Sequence, residues 1–321
     1  MTDDPWVAAR VDRTCVVFRV PGGEDEVVDR ARLDTQDWVT GDRALAPDGS
    51  DGPLRRLPRT TELRRARNDG SEQVLAANVD VVFLVVPENE GARPSVVERL
   101  AVIGWDSGAS PVLLITKSDL AEPDRRREIE GALMRYSAGI PWVFTSSETG
   151  EGLEDVRRAM GPGNTAVLIG HSGVGKSRLV NELARAGVAA TGSVRERDGK
   201  GRHTTTSRQL VPVDGTGSLI IDTPGIRELG APAGPGSIED VFPEIASVAD
   251  RCRFSDCAHR RDAGCAVRAA LADGTIDRGR LRRFLALLEE TEDPRPAHVG
   301  RRDKTTEYAR LARSHRAARG H

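Results

Sequence analysis

Eight consecutive residues, Gly170-His171-Ser172-Gly173-Val174-Gly175-Lys176-Ser177, fit the pattern G-x-x-x-x-G-K-S at every fixed position. Glycines in those places let successive backbone N–H groups turn inward onto an anion. The lysine adds a mobile cation, and the serine hydroxyl adds a hard ligand for a divalent metal. That chemistry suits a nucleoside triphosphate with Mg²⁺, Lys176 reaching the β- and γ-phosphates and Ser177 the metal. Thr116-Lys117-Ser118-Asp119 matches N/T-K-x-D. An ionised Asp119 accepts from both the ring N1–H and the exocyclic amino group of guanine, a donor pair adenine lacks, while the Lys117 stem packs along the base. Asp222-Thr223-Pro224-Gly225 is D-x-x-G, in which Asp222 is expected in the Mg²⁺ shell and the Gly225 N–H on the γ-phosphate.

Two further sets carry chemistry. The residue after Gly225 is Ile226, which has no polar atom to orient an attacking water. His203, beside Thr204, Thr205 and Thr206 in a polar glycine-containing segment, is the candidate for that role, with RNA contact or no part in the chemistry as its alternatives. One of the three threonines is expected to close on Mg²⁺. The second set is Cys252-x₄-Cys257-x-His259-x₅-Cys265, a spacing that suits a closed tetrahedral Cys₃His zinc site; reduced structural cysteines beside a surface histidine are the plain alternative.

These residues need particular elements to position them. The apolar run Thr165–Ile169 reads as a buried strand ahead of the glycine turn, and Ser177–Leu183 as a helix opening after it, so a helix N-terminus faces the anion. Strand and helix alternate from Asn78: strand at Val79–Val86, helix at Pro94–Trp105, strand at Val112–Ile115, helix at Pro123–Ser137, strand at Trp142–Phe144, helix at Leu153–Met160. That alternation predicts an α/β domain, with Asp119 at the carboxyl end of a strand, where open sheets bind ligands. Thr145-Ser146-Ser147 follows the next strand, where a backbone N–H would meet the guanine carbonyl, so Ser146 and Ser147 join the candidate site. Ser207–Val213 and Ser218–Ile221 read as two more strands.

Before this domain, short β-rich runs at Thr14–Val20 and Asp37–Leu45, punctuated by Pro21-Gly22-Gly23 and Pro47-Asp48-Gly49, predict a small all-β unit. An arginine-dense stretch from Arg55 to Arg67 follows, either a solvated loop or a nucleic-acid contact. After the Gly- and Pro-rich Gly230–Gly236, helices are expected from Val267 to Glu290. An arginine-rich tail from Arg295 suits either phosphate contact or solvation. The expected organisation is therefore a β domain over 1–68, an α/β domain over 69–231 and a helical metal-binding domain with a basic tail over 232–321.

The chain has 321 residues and net charge −2, which excludes a uniformly basic nucleic-acid-binding protein while allowing local arginine clusters. Only four of its 47 basic residues are lysines, and two of those, Lys117 and Lys176, fall inside the nucleotide motifs. No apolar run approaches the roughly 20 residues that span a bilayer, and the first ten residues have no apolar signal core, so a cytoplasmic protein with no membrane partner is expected. Three of the four cysteines crowd into one short segment, unlike a secreted disulfide framework. Cys15 reads as an ordinary buried thiol.

The order of the motifs is unusual. The guanine motif precedes the phosphate loop, whereas ordinary GTPases carry it last. One sheet still closes if the usual termini are joined through Gly161-Pro162-Gly163-Asn164 and the chain is cut after D-x-x-G, which makes a circularly permuted domain. With Ala76–Asp80, Thr116–Leu120, Gly170–Ser177, Gly201–Thr206, Asp222–Glu228 and the cysteine cluster, nearly the whole chain resembles the circularly permuted, ribosome-small-subunit-dependent GTPases of bacteria. Thr116 departs from the more frequent Asn of that family, and the N-terminal unit is short for its OB-fold.

The resemblance implies an N-terminal OB-like barrel, a central GTPase domain, and zinc at Cys252, Cys257, His259 and Cys265. It also implies GTP and GDP as ligands, Mg²⁺ with GTP, and the 30S subunit and its 16S rRNA as partners. The implied role is late maturation of that subunit, with hydrolysis stimulated by it and linked to release. A monomer is expected. Two rivals are a GTP-dependent scaffold with little turnover and a GTPase with a non-ribosomal client.

Overall fold

The structure is a computed structural model that describes residues 5–45, 53–66, 72–184, 209–222 and 235–292. The first strands are β1 (Trp6–Val11), β2 (Cys15–Arg19), β3 (Glu26–Asp29), β4 (Arg43–Leu45) and β5 (Arg55–Arg56). β1 pairs antiparallel with β2 and β4, β2 with β3, and β4 with β5. Just past β3, Leu33 bridges in parallel to Leu54 ahead of β5, closing the path 1-2-3-5-4-1 of a five-stranded OB-type barrel. Its interior is filled by alternate residues of the short strands: Ala8, Val16, Phe18, Val28 and Ala44, with Trp38 edge-on to Phe18 at 5.3 Å. The reading of Asp37–Leu45 as one run is corrected to the three residues of β4, because Asp42 turns inward instead. There it is fully buried, accepts from the Val39 N–H, and pairs with Arg59 at 2.7 Å.

That pairing is one of several in the arginine-dense stretch. Arg59 is tied to Asp42 and Glu62, Arg56 to Asp37, and Arg64 to Glu62 and Glu72. Arg59 is an internal strut with 9% of its side chain exposed, while Arg56 and Arg64 are paired at the surface with 21% and 47% exposed. A hairpin of β6 (Glu62–Ala66) and β7 (Glu72–Ala77) leads onward. At its end Asn78 adopts a left-handed backbone, φ 52°, so its amide can donate to Gly41 O at 2.9 Å and accept from the Thr60 N–H at 2.9 Å. The barrel is thereby stitched to the strand that follows.

The next elements are β8 (Val81–Pro87), α1 (Pro94–Asp106), β9 (Ser110–Thr116), α2 (Pro123–Tyr136), β10 (Trp142–Thr145), α3 (Leu153–Met160), β11 (Thr165–Ile169), α4 (Lys176–Leu183), β12 (Gln209–Pro212) and β13 (Leu219–Asp222). Prolines open α1 and α2, where a missing N–H costs nothing. The sheet runs β10-β9-β8-β11-β13-β12, parallel except for β12. β8 is apolar on both faces, as a central parallel strand must be. Val82, Leu84 and Val86 join the core of α1 and α2, while Val81, Phe83 and Val85 join that of α3 and α4. In chain order β8, β9 and β10 build outward on one side, and β11 and β13 on the other. Strand order therefore reverses between β8 and β11, the point where open sheets hold ligands. β9, which ends in Thr116, precedes the phosphate-loop strand β11 in the chain yet lies two strands from it, as the permuted order requires.

Among the described residues four more helices follow: α5 (Pro235–Val241), α6 (Pro243–Ala249), α7 (Ala266–Ala272) and α8 (Arg278–Glu292). They are no loose appendage. Ile238, Val241, Phe242, Val267, Phe284 and Leu287 belong to the same continuous buried cluster as Val97, Leu100 and Ala101 of α1. Glu98 of α1 is fully buried at this joint against Arg280 and Arg283. Among the described residues no helix is long and apolar enough to cross a membrane.

Candidate functional site

β11 ends at Ile169 and the chain turns through Gly170 to Gly175 into α4. Gly170 is buried against β8, where a Cβ would meet Val85 O at 2.4 Å. His171, Ser172 and Gly173 form an exposed rim, and buried Val174 pins the loop to the core. Gly175 caps α4 at φ 104°, so the helix starts at Lys176 with its first N–H groups toward the loop. Lys176 Nζ donates to Gly170 O at 2.5 Å and to His171 O at 2.8 Å, lying across the cradle it encloses. Ser177 is exposed on the first turn of α4. Asp222 is half-buried at the end of β13, which runs parallel to β11 in the register Val167↔Ile221, so it lies at the same carboxyl edge. Ser177 and Asp222 supply hard oxygen donors of the kind Mg²⁺ takes.

The guanine-type loop approaches from β9. Thr116 is buried, and its hydroxyl donates to Val174 O at 2.6 Å, tying this loop directly to the phosphate loop. The Thr at this position thus makes a loop-to-loop bond with its short side chain. Lys117 turns the chain with φ 58°, leaving Lys117 and Asp119 exposed and Ser118 buried. Ser146, buried after β10, donates its hydroxyl to Asp119 Oδ1 at 2.5 Å and accepts from the Glu148 N–H at 3.1 Å. Arg178 of α4 pairs with Glu148 at 2.5 Å. The residues Thr116–Asp119, Ser146-Ser147 and Gly170–Ser177, separated along the chain, therefore converge on one rim beside Asp222. His203, Thr204, Thr205, Thr206 and Gly225 lie outside the described residues.

Sequence reasoning missed Glu151. Its carboxylate accepts from Ser118 Oγ at 2.6 Å and from Arg126 Nη1 at 2.7 Å. The Ser118 hydroxyl, with help from the Arg126 guanidinium, holds it below the usual carboxylate range against the opposing effect of burial. The one signal available was a carboxylate between Gly150 and Gly152 in the turn after β10. Gly152, at φ 71°, is obligatory there, since a Cβ would meet Phe144 O at 2.0 Å.

Cys252, Cys257, His259 and Cys265 come together in the helical module. Their ligand atoms all lie within 4.8 Å of one another, and no disulfide joins them. Cys252 Sγ is 3.6 Å and Cys265 Sγ 3.7 Å from His259 Nδ1, and the two sulfurs are 4.0 Å apart. Tetrahedral zinc requires about 3.5 Å between sulfur and nitrogen and about 3.8 Å between sulfurs, from bond lengths near 2.0 and 2.3 Å. The pocket is therefore already at metal-binding size. His259 reaches it through a left-handed backbone, φ 60°. The N–H groups of Ala266 and Arg268 donate to the sulfurs of Cys252 and Cys265. Burial pushes the Cys252 thiol up, but N–H donors of Val267 and Ala266 outweigh it and hold it below the ordinary thiol value; burial pushes Cys257 up to about 12. Adjacent thiols cannot all ionise unaided, and a divalent cation among them reverses that balance.

The RsgA GTPase family model matches residues 56–232. A Lactiplantibacillus plantarum protein named small ribosomal subunit biogenesis GTPase RsgA 2 is 40% identical over 259 residues, covering 80% of this chain and 70% of that one. A Streptomyces coelicolor protein named small ribosomal subunit biogenesis GTPase RsgA is 40% identical over 264 residues, with the same two shares. Among solved structures, YjeQ from Thermotoga maritima superposes with a TM-score of 0.63 at 26% identity, over 93% of this chain and 99% of that one. YloQ, described as a circularly permuted GTPase, shares the fold with a TM-score of 0.60 at 24% identity, over 92% and 97% of the two chains.

Proposed function

This chain belongs to the RsgA GTPase family, and from that premise we infer a GTP hydrolase of small-ribosomal-subunit biogenesis whose working residues are those on the β8–β11 rim. GTP lies with its phosphates along Gly170–Ser177 and its base between Asp119 and the Ser146-Ser147 backbone. Lys176 leaves the loop carbonyls for the β- and γ-phosphates, exchanging two neutral acceptors for anionic ones. Ser177, Asp222 and one of Thr204, Thr205 and Thr206 would hold Mg²⁺, which would neutralise charge on the phosphate oxygens. His203 orients a water for in-line attack on the γ-phosphorus, and the Gly225 N–H steadies the departing phosphoryl group. The bond to the β–γ bridging oxygen breaks, giving GDP and phosphate.

What carries this reading is the pair of bonds Thr116 Oγ1 to Val174 O and Ser146 Oγ to Asp119 Oδ1, which join the phosphate loop and both base loops into one pocket. Zinc in the Cys₃His cluster is the companion proposal, supported by the sulfur and nitrogen spacings above. The surrounding module and the barrel then hold the 30S subunit through 16S rRNA, with the protein acting as a cytoplasmic monomer. The test is multiple-turnover phosphate release from GTP, with and without purified 30S subunits, together with cosedimentation on those subunits. Turnover stimulated by subunits supports the reading. Binding without turnover selects the scaffold, and absence of cosedimentation selects a non-ribosomal client.

A further inference from the structure

Glu151 belongs to none of the nucleotide motifs, yet it touches two of the loops that converge on the rim. Both carboxylate oxygens are used: Oε2 accepts from Ser118 Oγ and Oε1 from Arg126 Nη1. Its backbone carbonyl accepts from the Ser146 N–H at 3.0 Å and from Thr145 Oγ1 at 3.1 Å. Ser118 sits between Lys117 and Asp119, and Ser146 holds Asp119 from the other side. Arg126 is itself fixed, its guanidinium lying 4.2 Å over the Phe144 ring of β10. A chain of bonds thus runs from Phe144 through Arg126 and Glu151 to both sides of Asp119.

We propose that Glu151 is a positioning residue for base selection, setting the angle of Asp119 against the Ser146-Ser147 backbone; this rests on the guanine reading above. Asp119 itself is exposed and sits on a short turn, with Oδ1 held by the Ser146 hydroxyl, so the placing of its second oxygen depends on how that turn is set. Guanine differs from hypoxanthine by the exocyclic amino group alone, and reading that group requires the second carboxylate oxygen to be in place. A loop rotated by a few degrees loses this contact first, while phosphate binding, carried by another loop, is spared. The Glu151 carboxylate, held ionised by its two donors, is acceptor-only, so it fixes Ser118 as donor and leaves one arrangement of the turn.

The experiment measures dissociation constants of the full-length protein for GTP and inosine triphosphate, which lacks the amino group. Glu151→Ala is expected to weaken GTP about tenfold and inosine triphosphate about threefold, lowering selectivity about threefold while kcat at saturating GTP changes less than about twofold. Ser118→Ala, which removes only a hydroxyl and leaves the backbone carbonyl bonds intact, is expected to shift selectivity the same way by a smaller factor. Glu151→Gln keeps an acceptor for Ser118 and is expected to recover most of it. In an Asp119→Asn background, Glu151→Ala is expected to leave the ratio unmoved, because the group it positions is gone. A Glu151→Ala protein with wild-type selectivity, or an equal loss in the Asp119→Asn background, overturns the proposal. A wild type that binds both nucleotides equally overturns the guanine reading instead, so the two failures are distinguishable.

Discussion

Replacing Glu98 by alanine should unlatch the helical module from the GTPase domain. The side chain lies on α1 with none of its surface exposed, accepting from Arg280 Nη1 at 2.7 Å and from Arg283 Nε at 2.5 Å and Nη2 at 3.0 Å. Removing one member of a buried ion pair costs about 3–5 kcal/mol, because the other charge stays behind unpaired. Two features reduce that figure here. The arginines keep 13% and 22% of their side-chain surface, and Arg280 retains Glu244 at 2.5 Å and Val241 O at 2.8 Å. The expected loss is therefore about 2–4 kcal/mol. Glu98→Gln, which keeps volume and one acceptor, should cost less, about 1–2 kcal/mol. The control is Glu290→Ala. It breaks the Arg99–Glu290 pair, whose side chains are 38% and 40% exposed, and should cost under about 1 kcal/mol. Urea unfolding of the full chain reads all three, and hydrogen exchange along α8 reports whether the module opens first. If Glu98→Ala and Glu290→Ala lose the same small amount, the carboxylate is not a strut and the reasoning from burial fails.

Asp119→Asn should cost GTP affinity on the order of several kcal/mol by leaving the guanine donors unpaired, and xanthosine triphosphate should bind the variant better; unchanged GTP titration removes the base assignment. Purified protein should carry about one zinc, and Cys257→Ser should lower both the metal content and the melting temperature of the helical module. Metal analysis without chelator that finds none would count against the site. His203→Ala should leave GTP affinity nearly constant while lowering subunit-stimulated turnover roughly 100-fold, and equal rates would take His203 out of the mechanism.

Residues whose chemistry depends on fixed spacing were the legible ones. The phosphate loop, the Asp119 loop and the cysteine cluster are local patterns, and β8 announces itself by being apolar on both faces. What stayed hidden depends on contacts between distant residues. Nothing about Leu33 and Leu54 suggests the bridge that closes the barrel, since neither sits in a strand-like run. Arg59 reads as one more surface charge because composition counts charges without showing their partners. Glu98 reads as an ordinary polar position of a helix until α8 is placed against it. Glu151 was overlooked for the same reason: its role lies in bonds to Ser118 and Arg126, which no spacing rule links to it.

The permuted order has a mechanical consequence that can be sized. β13 ends at Asp222, and the chain next enters the described structure at Pro235, where α5 packs on α1 through Ile238 and Val241, and Ser237 Oγ donates to Asp106 at 2.8 Å. The segment expected to sense the γ-phosphate therefore leads straight into the helical module, whereas in an unpermuted domain it continues into the same sheet. α1, the helix that receives the module, runs directly into β9 and the Asp119 loop. The module is thus joined to the candidate nucleotide site by two routes, along the chain from Asp222 and by packing on α1. A tenfold preference of the 30S subunit for one nucleotide state corresponds to about 1.4 kcal/mol. That is smaller than the loss expected from removing Glu98, so a difference of this size between nucleotide states does not require the ionic strut to break. The expected result is tighter subunit binding with a non-hydrolysable GTP analogue than with GDP, and, by linkage, bound subunit raising analogue affinity over GDP by the same factor. Both quantities are measurable, one by sedimentation and one by nucleotide titration. Identical subunit affinities in the two states would mean that the covalent route from Asp222 carries no signal.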